Sequence, residues 1–432
     1  YKRQVVVRLH AFVALLLTSL IVAVAGGIPL GEIADLIQTQ MGSTLGYIAV
    51  VIGLGAMFGE MLQRSGGAGA IAERLVAIFG DRRAPWALAL TGIIVAIPVF
   101  FDVALVLLIP LTANLARRSG RSLLYYAIPL LAGIAVAHSF IPPTPGPVAV
   151  AGLLDADLGW VIAMGLLAGI PATLVGGLWY GRHIADKVHL EVPEFLLPLP
   201  SEATSPQTGT PGFGTAVGLV ALPLVLILLR TASAVLLPED STVRTVLGFV
   251  GHPFTALLIA TLLSFYMLGI RLGFSPSEVR DFASKGLEPV GLIILVTGAG
   301  GVFGKVLTAT GVGEAVAEWM SGSELPVILL AFLIATAVRV AQGSATVSMV
   351  TAAGLVAPIV ESGGMSAPHV AAVVIAIASG ATVLSHVNDS GFWLVSRYLG
   401  MPERQTLRVW TVMETLVGVT GLAVVLVLSL FL

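Results

Sequence analysis

GLGAMFGEMLQRSGGAGAIAERL at residues 53–75 and GAGGVFGKVLTATGVGEAVAEWM at residues 298–320 align without a gap at an offset of 245, with nine identities in 23 positions. The shared residues are Gly53/Gly298, Gly55/Gly300, Phe58/Phe303, Gly59/Gly304, Leu62/Leu307, Gly66/Gly311, Ala70/Ala315, Ala72/Ala317 and Glu73/Glu318. In a chain this hydrophobic, duplicated halves are how secondary transporters build one site that opens to either side. The glycines of 53–59 and 298–304 do not have dinucleotide-fingerprint spacing and follow no strand, so they read as close helix packing. Glu60 and Lys305 put opposite charges at equivalent places and read as structural.

The rest of the composition fits a bilayer. Hydrophobic residues make up 57% of the chain and charged residues 11%, against roughly a quarter charged in soluble proteins. Apolar runs of about 20 residues recur along the whole length. The expected fold class is an all-α polytopic membrane protein; a barrel needs short alternating strands. A net charge of −2 argues against a nucleic-acid partner, and the absence of cysteine rules out disulfides and thiolate metal sites. No metal site or cofactor is expected. Walker A, HExxH and GxSxG motifs are missing, which argues against an ATP-driven pump, an intramembrane hydrolase or any other enzyme.

Lys and Arg mark the cytoplasmic side. Lys2, Arg3 and Arg8 start inside, residues 11–30 cross, Glu32 and Asp35 lie outside, and 44–63 return to Arg64, Arg74, Arg82 and Arg83. Residues 11–30 are long enough to span and read as a helix, not a signal peptide. The stretch 85–112 has basic residues at both ends, Arg117, Arg118 and Arg121 following it, and is too short for two crossings. It reads as a re-entrant hairpin with its tip near residues 98–102. In the second half, 325–358 is flanked by Glu314, Glu318, Glu324 and Glu361, so its hairpin enters from outside with its tip near 339–346. One hairpin from each face is the mark of an inverted-topology repeat.

Each hairpin precedes a span interrupted by HSFIPPTPGP (138–147) or SHVNDSG (385–391). Pro142, Pro143, Pro145 and Pro147 remove amide donors and break the first helix; backbone freed at membrane depth has to be satisfied by protein, water or ligand. The expected divisions are therefore 1–43 (N-terminal transmembrane helix and outer loop), 44–181 (first repeat), 182–212 (cytoplasmic linker with Pro193, Pro198, Pro200, Pro206 and Pro211), 213–288 (connecting helices) and 289–432 (second repeat). That makes nine crossings and two hairpins. Because the chain opens on Tyr1, a helix preceding it would make ten.

Ionisable groups at membrane depth cost at least about 2.5 kcal/mol on insertion scales and are functional candidates by default. Here they are Asp102, His138, Arg339, His386 and Asp389. Removal from water favours the neutral form of a carboxyl, the property a proton-coupled carrier needs, so Asp102 and Asp389 are proton-coupling candidates, beside structural roles in ion pairs or caps. His138 and His386 open the two broken segments and join them, each with a structural alternative as a hydrogen-bonded histidine. Arg339 is placed to hold a substrate carboxylate; its alternative is a salt bridge to Asp102 or Asp389. Gln342, Ser344, Thr346, Thr144, Asn388 and Ser390, with exposed amides near Gly146 and Gly391, complete the expected substrate site; interhelical bonding is the alternative for the hydroxyls.

HSFIPPTPGP (138–147), VRVAQGSATVSMVTAAG (338–354) and SHVNDSGFW (385–393) resemble the signature stretches of the gluconate:proton symporter family, part of the ion-transporter superfamily, over essentially the whole chain. The resemblance implies proton-coupled uptake of gluconate, a related sugar acid or a small hydroxy acid across a bacterial inner membrane, and a homodimer. Thr144 stands where many gluconate permeases have histidine, and Asp102 where they have glutamate. A sodium-coupled carrier of a small carboxylate or D-serine, and a passive channel, are the alternatives.

Overall fold

The computed structural model of the chain describes residues 10–196, 209–311 and 326–432, and every regular element among these is helical. Lys2, Arg3, Arg8, Pro198, Pro200, Pro206, Glu314, Glu318, Glu324 and the last part of the second repeat copy lie outside the described residues.

Helices α1 (Ala11–Ala25) and α2 (Leu30–Arg64) are followed by α3 (Gly67–Phe79). The loop expected over 31–43 is instead helix: after Pro29 no proline interrupts the chain, and Glu32 sits in the first turn, where a negative charge suits the helix dipole. At 35 residues, α2 is about 52 Å long at 1.5 Å per residue, so its polar outer end clears the hydrocarbon. Gly66 makes the turn into α3 with φ of 75°, and its repeat partner Gly311 has φ of 73°. The sequence match thus carries a shared left-handed backbone turn that side-chain-bearing residues resist.

The first hairpin is α4 (Ala84–Ala96) and α5 (Phe101–Ser119), with residues 97–100 as its tip. The first broken helix is α6 (Leu124–Phe140) and α7 (Pro145–Leu153), parted by the Ile141–Thr144 segment. Then come α8 (Leu158–Lys187), which contains a π-helical turn at Thr173–Trp179, α9 (Phe213–Leu236), α10 (Thr242–Val250), α11 (Pro253–Leu272) and α12 (Pro276–Leu287). The second repeat runs through α13 (Val290–Ala309), the hairpin α14 (Val327–Gln342) and α15 (Ala345–Ser362), and the broken helix α16 (Ala367–Thr382) and α17 (Ser390–Tyr398). Helix α18 (Glu403–Ser429) ends the chain and includes a π-helical turn at Leu407–Thr411.

Eight of these helices are long and apolar enough to cross a membrane. Seven are expected crossings and the eighth is α15, the returning hairpin arm; the other two expected crossings fall on the shorter apolar helices α1 and α16. The α6–α7 span is the centre of the molecule, with 89% of its apolar window buried against 33% for α9.

The two halves pack alike. Each incoming hairpin arm lies on its broken helix at a glycine: Gly92 and Gly133 bring α4 and α6 into backbone contact, and Gly380 sets α16 against the Phe332 carbonyl of α14. The matched glycines do equivalent work on α2 and α13. A side chain at Gly59 would strike the Pro98 carbonyl at the first hairpin tip, and one at Gly304 would press on Gly354 of α15. This is the packing role small residues serve in membranes. The chain is therefore an all-α inverted repeat with two re-entrant hairpins and two broken helices.

Candidate substrate site

Breaks in helices leave helix ends inside the protein, and three N-termini meet at one place. Phe101 and Asp102 open α5, Ala345 and Thr346 open α15, and Ser390 and Gly391 open α17; all six line a cavity of about 380 Å³. Unpaired amides and the positive dipole end make a helix N-terminus attractive to anions. His138 and Ser139 at the end of α6, Arg339, Ser344 and Asp389 also line it, and Leu292, Ile293 and Val296 of α13 form an apolar side.

Arg339 is 3% exposed and Asp389 8%. Arg339 Nη2 donates to Asp389 Oδ2 at 2.6 Å and Nη1 donates to the Gly343 carbonyl, while Nε is buried without a partner. Asp389 Oδ2 also accepts from Ser385 Oγ at 2.5 Å, and Oδ1 accepts from the Gly391 amide at 3.1 Å as the N-cap of α17. Trp410 Nε1 donates to Ser385 Oγ at 2.7 Å, and Thr411 Oγ1 donates to the Ser385 carbonyl. A buried ion pair holds when its remaining hydrogen-bonding capacity is filled; Asp389 meets that condition. Gly343 permits the approach, since its φ of 87° is left-handed and a Cβ there would overlap Asn388.

Of the residues expected from sequence, Asp102, His138, Arg339, Ser344, Thr346, Asp389, Ser390 and Gly391 come together around this cavity. Others do not line it. Thr144 donates to the Ile141 carbonyl at 2.7 Å inside the first break, Gly146 packs on Met349, and Gln342 is exposed. Asn388 Nδ2 donates to the Val340 carbonyl at 3.0 Å, and His386 Nδ1 lies 2.8 Å from the Leu384 carbonyl, so the two histidines of the comparable breaks are in different surroundings.

Glu414 and Trp410 were not anticipated. Both line the cavity from α18, where the π-helical turn at Leu407–Thr411 precedes Glu414. Glu414 is 5% exposed. Its signal was present in the sequence as a lone carboxylate in an otherwise apolar terminal span.

The GntP family permease model matches residues 4–431. The low-affinity gluconate transporter of Escherichia coli strain K12 is 44% identical over 96% of this chain and 92% of its own length. The gluconate permease of Pseudomonas aeruginosa is 37% identical over 98% and 94%. Two solved structures have a similar fold: the Alcanivorax borkumensis YdaH transporter, at TM-score 0.67 and 17% identity over 96% of each chain, and Neisseria gonorrhoeae MtrF, at 0.68 and 14% over 98% and 96%. With the inverted repeat, the central cavity and these relatives together, the chain belongs to the GntP permease family and is a multi-pass transporter of the bacterial inner membrane.

Proposed function

We propose that this protein is a proton-coupled symporter that imports gluconate or a closely related sugar acid or small hydroxy acid, and that it is not an enzyme. The relatives named for gluconate support the substrate class. The observation that carries the reading is the convergence of three helix N-termini and Arg339 on one cavity large enough for a small molecule. Ser344, Thr346 and Ser390 offer hydroxyls to a polyhydroxylated ligand.

Charge balance supports the coupling. Asp102, Asp389 and Glu414 face the cavity beside one guanidinium, Arg339, whose charge is matched by Asp389. An anion entering next to two further carboxylates is repelled unless a proton enters with it. Proton and substrate then favour each other's binding reciprocally. The carrier of that proton is one of the two carboxyls without an ion-pair partner among the described residues, Asp102 or Glu414.

The test is uptake of labelled gluconate into proteoliposomes with an alkaline lumen, with and without sodium. Saturable accumulation that collapses with a protonophore and is indifferent to sodium is expected. Sodium-dependent, pH-indifferent uptake overturns the coupling, and unsaturable equilibration overturns the carrier in favour of a channel.

A further inference from the structure

We infer that Glu414 is the carboxyl that takes up and releases the coupled proton. This rests on the proton-coupled reading above and narrows it to one side chain.

Among the described residues three carboxyls face the cavity, and their surroundings differ. Asp389 has its oxygens filled by Arg339, Ser385 and the Gly391 amide, and its charge holds α17 to the second hairpin. Neutralising it would leave Arg339 buried without a counter-ion, a costly state. Asp102 is exposed and lies in the first turn of α5, where the helix N-terminus stabilises a negative charge. Glu414 has neither support. It is 5% exposed, and its carboxyl makes no hydrogen bond or ion pair with any described residue. It also sits well inside the continuous helix Glu403–Ser429, away from either dipole end.

The charged and titratable groups that share its cavity are Asp102 on α5, His138 on α6, Arg339 on α14 and Asp389 before α17. On α8, packed along the same helix, Tyr180 donates to the Arg408 carbonyl at 2.6 Å, more than a turn below. Among the described residues Arg339 is thus the one fixed cation lining the cavity, and Asp389 already engages it. A charge on Glu414 is uncompensated and opposes a second anion beside it. In the step, an O–H bond forms at a Glu414 carboxylate oxygen with a proton from cavity water; the substrate anion then binds a wall relieved of one negative charge. On release, the proton returns to water on the other side.

The experiment compares wild type with E414Q in proteoliposomes. Counterflow of labelled gluconate at equal pH reads binding and movement; accumulation against an alkaline lumen reads coupling. For E414Q, counterflow is expected to persist and become insensitive to pH, while the inside-to-outside ratio under the pH gradient falls to about 1. The apolar E414M gives the same split should the amide variant not fold. Accumulation by E414Q at the wild-type ratio overturns the inference and leaves the proton-coupled reading intact. Loss of counterflow from folded E414Q also overturns it, making Glu414 a substrate-binding residue. Failure of wild type to accumulate gluconate under the gradient removes the inference together with the reading.

Discussion

Replacing Asp389 by asparagine removes the charge that balances Arg339 while keeping the side chain's shape. In the folded protein Asp389 accepts from Arg339 Nη2 at 2.6 Å, Ser385 Oγ at 2.5 Å and the Gly391 amide at 3.1 Å. An asparagine keeps an acceptor for only one side of this set. If its oxygen stays on the Gly391 amide, its NH₂ group faces the guanidinium, donor against donor. Removing one partner of a buried pair costs about 3–5 kcal/mol, and replacing both costs far less, because no unpaired charge remains. D389N is therefore expected to lower the thermal unfolding midpoint of the detergent-solubilised protein sharply. The double variant R339Q/D389N is expected to recover much of that loss, which requires a coupling energy larger than the cost of R339Q alone, about 3 kcal/mol or more. Unfolding can be followed through tryptophan fluorescence, since Trp410 abuts the network. A double variant that unfolds below D389N by the full cost of R339Q would refute the reasoning, because the two charges would then be acting independently.

Three further outcomes follow from the same geometry. S385A leaves the Trp410 indole N–H buried without its acceptor and should destabilise by about 1–3 kcal/mol; adding W410F should restore part of the loss, and no restoration counts against the bond. G343A puts a Cβ at a left-handed residue against Asn388 and should cost at least about 1–2 kcal/mol from the backbone alone, read as a reduced yield of monodisperse protein. In the capping box of α12, outside the spans, hydrogen bonds from the Ser275 amide and hydroxyl hold the Glu278 carboxyl below its ordinary range. A lowered value in the folded state means that the bond's contribution is present above the ordinary glutamate value and lost as pH falls through the lowered one. The protection factor of the Ser275 amide, its slowing relative to an unstructured amide at the same pH, should therefore fall in acid, and an E278Q variant whose protection keeps the same acid dependence would contradict the assignment.

Much of the architecture was legible because breaks in helices are written in proline, glycine and charge. Pro98 and the basic residues on both sides of 85–112 placed the first hairpin, Pro142 and Pro143 the first break, and both agree with the observed helix ends. Residues 31–43 misled because Glu32 and Asp35 read as an outer loop, yet both are compatible with a helix that extends past the bilayer. The site was half legible. Proximity along the chain put Gln342, Asn388 and His386 with their neighbours Ser344 and Asp389, but a turn rotates adjacent side chains apart, and Asn388 satisfies the Val340 carbonyl instead. Glu414 lies 25 residues beyond Asp389 on a helix without a break, so its arrival at the cavity depends on how α18 packs.

The cavity has walls of two kinds. On one, Arg339, Asp389, Ser385, Trp410 and Thr411 stitch the second hairpin, the broken helix and α18 into a single block. On the other, Pro289 and, on α13, Leu292, Ile293 and Val296 present carbon surface that holds nothing by a directed bond. Farther out, Lys305 of α13 meets Glu361 of α15 at 2.5 Å, both about two-fifths exposed, and such a pair is worth at most about 1 kcal/mol. The two walls are therefore fastened differently: the first by directed bonds across three elements, the second by close glycine packing of α13 on α15 at Gly300, Gly304 and Gly354 with an exposed ion pair at its outer end.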